Sequence, residues 1–273
     1  MPVRIDGDRH YVEMTLMVDA TPEQVWRAFA SSEGYSTWFT KASVEQREGG
    51  KIVFSMGEGM ESVATIKAFE PSKRLAYVEE AWMPDAPPCD TEVTIEPRGD
   101  KGCLLCMTHI IESDAGDWDG WLEQFEQGWP GFFEVLRLYF AHFDGKPGCG
   151  AYGMRNMSSG SREVWASMID SLGLRNADVG EERTLKAGLS GQRVVIEEIK
   201  QDHNKRMVTL RSPEPATTIL LGTFMMGDKT VASIATFCYG IDAQARSDAS
   251  TATWRAWLAE LFPESAEGFP MPT

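Results

Sequence analysis

Thr21-Pro22-Glu23-Gln24-Val25-Trp26 and, past the midpoint, Ser161-Arg162-Glu163-Val164-Trp165 read as two versions of one helix opening. In each, a hydroxyl residue and an acid precede a Val-Trp pair. Two further marks follow in the same order. Lys73-Arg74-Leu75 and Lys205-Arg206-Met207 each lead into strand-like sequence. Each half then closes on an apolar helix, one around Trp129, Phe132, Phe133 and Leu136, the other around Trp254, Trp257, Leu258 and Leu261. The separation between matching marks shrinks steadily, as expected if the second copy has lost loop residues at two places. The alternative is chance matching of common dipeptides. Duplication organises the rest of the chain: an α+β protein made of two copies of one fold, each a sheet wrapped on a long helix.

In the first copy, His10 to Val18 alternates apolar and polar residues and reads as a strand. Thr21 suits an N-cap, with Pro22 at the first helical position and Gln24 closing a capping box. The helix carries Val25, Trp26 and Phe29 inward and gives way near Gly34. Strands are predicted at Ala42–Gln46, Lys51–Met56, Ser62–Phe69, Leu75–Glu80, Thr91–Glu96 and Cys103–Ile110, joined by turns rich in Gly, Pro and Asp. Short turns between successive strands imply an antiparallel meander. From Trp118 to Phe143, apolar residues recur at helical spacing. Pro130, between Gly128 and Gly131, removes an amide donor and predicts a kink or break there.

Asp144 to Gly150 reads as a linker, dividing a domain at 1–145 from a shortened one at 150–273. The second predicts a strand at Ala151–Met157, a helix at Ser161–Leu172, and strands at Gln192–Lys200, Lys205–Arg211, Thr217–Met226 and Lys229–Tyr239. A helix at Ala249–Phe262 closes it, and the tail from Pro263 is expected to lack order.

Composition narrows the function. Hydrophobic residues make up 42% and charged ones 25%, the balance of a globular protein. A net charge of −15 disfavours nucleic acid and anionic lipid as partners, since both attract basic surfaces. No apolar run nears the roughly 20 residues that span a bilayer, and no apolar signal segment opens the chain, so a cytoplasmic location is expected. The five cysteines form no disulfide framework. Cys103 and Cys106 have metal-like spacing but lie in a strand, where positions three apart face opposite ways. They read as structural thiols, and no metal is implied.

Taken together, Thr21-Pro22-Glu23-x-Val25-Trp26, Trp38, Gly49-Gly50-Lys51 and Pro71-x-Lys73-Arg74-Leu75 form a distinctive series. Gly102-x-x-Leu105-x-Met107-Thr108-His109 and Gly128-Trp129 continue it. The series resembles the START-like (SRPBCC) helix-grip superfamily, in the branch named after the heat-shock-protein-90 ATPase activator. Residues 10–143 carry the resemblance well and the second half only loosely. It implies a curved antiparallel sheet gripping a long C-terminal helix, with a space between them that in many members holds an apolar molecule. Some branches are cyclases or dehydratases. No cofactor is implied, and the partners it allows are a small apolar ligand, a second copy of the chain or a chaperone. Fold does not carry activity with it.

Alternation selects the inward positions: Phe54 and Met56 on one strand, Tyr77 and Glu79 on another, Met107 and His109 on a third. With Trp38, Trp118, Trp121, Phe125 and Trp129 they would line an aromatic, Met-rich site for a small hydrophobic molecule. The same residues serve equally as core. Glu79 beside His109 would raise the imidazole pKa and supply general acid–base chemistry. Alternatively, a bulge turns Glu79 outward and His109 caps a strand end. Ser158 to Ser161 fit capping, and no nucleophile elbow or phosphate loop is present. Asp114, Asp117 and Asp119 suit a first helical turn. These residues do not compel an enzyme.

Overall fold

The computed structural model describes residues 4–55, 61–82, 86–99, 102–112, 119–201, 205–226 and 228–267. The chain divides into two compact units, Met1–Asp144 and Gly145–Thr273. The first opens with strands β1 (Arg4–Asp6) and β2 (Arg9–Val18) and helices α1 (Pro22–Ala30) and α2 (Ser32–Tyr35). Strands β3 (Lys41–Val44), β4 (Lys51–Ser55), β5 (Glu61–Glu70), β6 (Arg74–Glu79), β7 (Cys89–Arg98) and β8 (Gly102–Glu112) follow. Helix α3 (Asp119–Leu138) closes the unit and ends in a π-helical turn at Tyr139–Phe143. The strands form one antiparallel sheet in the order β1-β2-β8-β7-β6-β5-β4-β3.

Thr21 caps α1 as the sequence requires. Its hydroxyl accepts from the Gln24 amide at 3.3 Å and the Gln24 side chain accepts from the Thr21 amide at 2.7 Å. Val25 and Phe29 are buried beneath α1, while Trp26 packs edge-on against Phe69. Pro130 does not break α3, which runs through it. One lost hydrogen bond is a tolerable cost for a helix held by an apolar face. A further irregularity falls at Tyr139–Phe143, where a wider turn keeps Tyr139, Phe140 and Phe143 all buried.

The second unit contains β9 (Gly148–Met157), α4 (Ser161–Leu172), β10 (Glu182–Thr184), β11 (Arg193–Gln201), β12 (Arg206–Ser212), β13 (Thr217–Met226), β14 (Lys229–Tyr239), α5 (Ala243–Leu261) and β15 (Ala266–Glu267). Its sheet order is β10-β11-β12-β13-β14-β9-β15. Placing β9 on β2 and β14 on β8 makes the two orders coincide, and α1 and α4 then follow the same strand. Even an irregularity repeats: the β5–β6 register shifts between Ile66 and Ala68, and the β11–β12 register between Ile196 and Glu198. Two copies of one helix-grip fold stand in tandem. Among the described residues, the second has no counterpart of α2 or β3. The free side of its β9 is paired by β15, from the end of the chain, where β1 pairs β2 in the first.

Four expectations need correction. Gly148 and Cys149, read as linker, already belong to β9, and residues 266–267 of the tail pair with it. Helix α5 starts at Ala243 rather than Ala249, because its early buried positions are Ala243 and Ser247, small residues that give no hydrophobic signal. They let the helix lie close on β9, where the Ser247 hydroxyl donates to the Gly150 carbonyl at 2.8 Å. Finally, Arg74 and Arg206 are not equivalent. Arg74 pairs with Glu92 and Glu70, whereas Arg206 is buried and donates to Ser161 on α4 at 2.9 Å. Aligned on the repeated register shift, Arg206 falls one residue out of step.

Candidate functional site

Five neighbouring strands of the first sheet put one row of residues side by side. Ile66 on β5 pairs with Tyr77 on β6, Tyr77 with Thr91 on β7, Thr91 with His109 on β8, and His109 with Val12 on β2. Directly opposed residues point to the same face. Thr91 Oγ1 lies 2.8 Å from His109 Nδ1, and the same hydroxyl meets the Tyr77 phenol. Tyr35 of α2 lies beside Tyr77 without a well-aligned hydrogen bond. The row is thus a buried polar relay across an otherwise apolar face.

Aromatic rings cover it. Trp129 of α3 stacks on His109 with centroids 5.3 Å apart and planes 24° apart. Trp38 is fully buried and donates from Nε1 to the Ala28 carbonyl at 3.0 Å, with Phe29 and Trp129 at 4.8 and 6.2 Å. Phe54 bridges Tyr35 at 5.1 Å and Tyr77 at 5.9 Å. Around Trp129, Phe39 and Phe132 lie 4.8 and 6.1 Å away. These three rings are only half-buried, which makes them the open end of the cluster.

Burial governs the electrostatics. The His109 pKa is pulled down to about 3 by loss of water alone, so the ring is neutral at physiological pH. Glu79 does not contribute to it. That carboxyl lies in the next row, paired with Cys89, and accepts from the Ser62 hydroxyl. Burial raises the carboxyl pKa, partly offset by Ser62, and raises the Cys89 thiol as well. Cys89 Sγ is 3.9 Å from His109 Nδ1, but a raised thiol beside a lowered imidazole gives no thiolate–imidazolium pair. The expectation that Glu79 raises the His109 pKa is therefore corrected: they stand two strands and one row apart.

A pH dependence follows. Unfolded, histidine titrates near ~6.5. Between that value and about 3, the unfolded chain binds a proton that folded His109 refuses, so stability falls as pH drops. His109→Gln is expected to flatten this acid limb, measured as the difference in urea midpoint between pH 7 and pH 4.5. An undiminished difference in the variant would contradict the assignment.

Residues 19–141 match the family model described as Activator of Hsp90 ATPase homolog 1-like protein. The first unit is a helix-grip domain of this activator type. No curated protein matches the chain. Among solved structures, CalU16 from Micromonospora echinospora is 22% identical, covering 51% of this chain and 83% of its own with a TM-score of 0.41. DynU16, a protein in the dynemicin biosynthetic locus, is 17% identical over 92% of this chain and 96% of its own, with a TM-score of 0.42. The di-domain ARO/CYC BexL, from the BE-7585A biosynthetic pathway, is 13% identical over 90% and 98%, with a TM-score of 0.45.

Within this activator-type domain, Trp38, Phe54, Tyr77, Met107 and His109 are all buried, and Trp38, Phe54, Tyr77, His109 and Trp129 are linked through the ring contacts and the relay. Met56 and Trp118 lie outside the described residues. Trp121 and Phe125 are on α3, of which only the backbone is described there. Sequence reasoning missed Thr91, the centre of the relay. Its strand was predicted, but threonine at strand positions is common and gives no signal by itself. Phe39 was missed because it belongs to the loop after α2, where no periodicity assigns a face.

The second copy fills the same row differently. Ile196, Leu210, Ile219, Thr236 and Ala151 are the register partners there. Where the first copy has Tyr77, Thr91 and His109, the second has Leu210, Ile219 and Thr236. Trp254 stands where Trp129 does, fully buried, and donates from Nε1 to Thr236 Oγ1 at 2.8 Å. Trp257 meets it edge-on at 5.5 Å and donates to Ser171 Oγ at 3.0 Å.

Proposed function

We propose that the first unit binds a small hydrophobic molecule between its sheet and α3, without chemistry on it, and that the second unit is packed solid. The contrast between the two rows carries this reading. Burying a phenol, a hydroxyl and an imidazole costs free energy unless each is hydrogen-bonded, and a row serving only as core gains nothing from them. The second copy fills the equivalent positions with Leu210, Ile219 and a Thr236 bonded to tryptophan. The polar row of the first is suited to orienting one polar group of an otherwise apolar ligand. The half-buried rings of Phe39, Trp129 and Phe132 supply an apolar aromatic entrance.

A binding role is preferred to a cyclase or dehydratase using His109 and Glu79, because the two do not touch and burial leaves a neutral imidazole that is a weak base and has no imidazolium form to act as acid near neutrality. Cytoplasmic residence suits five cysteines that are all free. Denaturing mass spectrometry of small molecules released from freshly purified protein tests the reading. A stoichiometric apolar compound is expected, and much less of it from a Thr91→Val variant that folds normally. Protein that carries no compound and takes up no added planar aromatic would overturn the proposal and favour a protein-interaction role, in a homodimer or with a chaperone.

A further inference from the structure

Cys149 on β9 and Cys238 on β14 are direct cross-strand partners. The other three cysteines have no such neighbour: Cys89 pairs with Glu79 and Ile111, Cys103 with Val18 and Pro97, and Cys106 with Thr15 and Thr94. The Gly240 amide donates to the Pro147 carbonyl at 2.9 Å, and two residues further along each strand come Cys238 and Cys149. That spacing makes them a hydrogen-bonded pair, with Cα atoms about 5.5 Å apart. A disulfide spans that distance. Both thiols lie on the helix side of the sheet. Cys149 Sγ donates to Gln244 Oε1 of α5 at 3.4 Å, and Cys238 interacts with Ser250 of α5. Cys149 is half-buried, whereas Cys238 is buried.

We propose that Cys149 and Cys238 are a redox modification site, two free thiols that peroxide converts to a disulfide beneath the first turns of α5. The more accessible Cys149, as thiolate, attacks one peroxide oxygen. The O–O bond breaks, Cys149 becomes a sulfenic acid, and the leaving hydroxide takes up a proton to become water. Cys238 sulfur then attacks Cys149 sulfur, the S–O bond breaks, and a second water leaves with the Cys238 proton. Two thiols are oxidised by two electrons and one peroxide is reduced to two waters. The bond draws Cys149 away from Gln244 and locks β9 to β14.

The test treats the full chain with hydrogen peroxide, removes the excess, and counts thiols in denaturant. Untreated protein has five cysteines and none in a disulfide. Treatment is expected to remove two thiols, lower the mass by two hydrogens, and yield a non-reduced peptide joining residues 149 and 238. Dithiothreitol should restore both thiols. Cys149→Ser is expected to lose neither a thiol pair nor mass under the same treatment, and Cys238→Ala likewise. Retention of all five thiols in the wild type, or a linkage joining any other two cysteines, would overturn the assignment.

Discussion

Trp254→Ala is expected to destabilise the second unit by about 3–5 kcal/mol, the range for emptying a large aromatic site. The indole is fully buried, and the backbone is moulded to it. Gly188 adopts a positive φ of 60°, and a Cβ added there would fall 1.9 Å from Trp254 Cζ3. Across the sheet, a Cβ on Gly153 would meet Trp254 Cβ at 3.3 Å. Backbone held that close on both sides cannot easily collapse into the space left behind. Thr236 would also lose the donor that satisfies its hydroxyl. Urea denaturation of the whole protein measures the loss, and Trp254→Phe should fall between the two. A change under about 1 kcal/mol for alanine would show that the indole does not hold the second grip closed.

In the first unit the comparable loss belongs to Trp38, not to Trp129. Trp38→Ala removes a fully buried ring that touches Phe29, Phe39, Trp129 and Phe133, and it leaves the Ala28 carbonyl without its indole donor. A cost of about 3–5 kcal/mol is expected. Trp129 is half-buried, so its replacement by alanine removes a ring that was only partly withdrawn from water and should cost distinctly less. The order of the two effects in chemical denaturation is the check. Equal or reversed losses would mean that Trp129, rather than Trp38, anchors the packing.

Strands β4 to β8 and β11 to β14 were legible because apolar alternation and turn residues mark them, and α4 fell where its apolar spacing placed it. The short strands β1, β10 and β15 were not legible, since two or three residues carry no period. The early turns of α5 escaped notice because alanine and serine, not large apolar residues, form its contact with β9. Pro130 suggested a break for the opposite reason: its local penalty is clear in sequence, but the packing that keeps the helix continuous is not. At the site, alternation put Tyr77, Met107 and His109 on the inner face. It could not say that Thr91 links Tyr77 to His109, because that contact exists only once three strands are in register. Nor could it separate Glu79 from His109, since face is a local property and distance across a sheet is not.

The most direct test of the account follows the indole N–H signals by NMR during titration with a planar aromatic alcohol such as 2-naphthol, each signal assigned by a Trp→Phe variant. The account predicts that the signals of Trp38 and Trp129 move in a saturable way, while those of Trp254 and Trp257 stay in place. Movement of the Trp254 and Trp257 signals with those of Trp38 and Trp129 unchanged would contradict it, placing the open grip in the second unit.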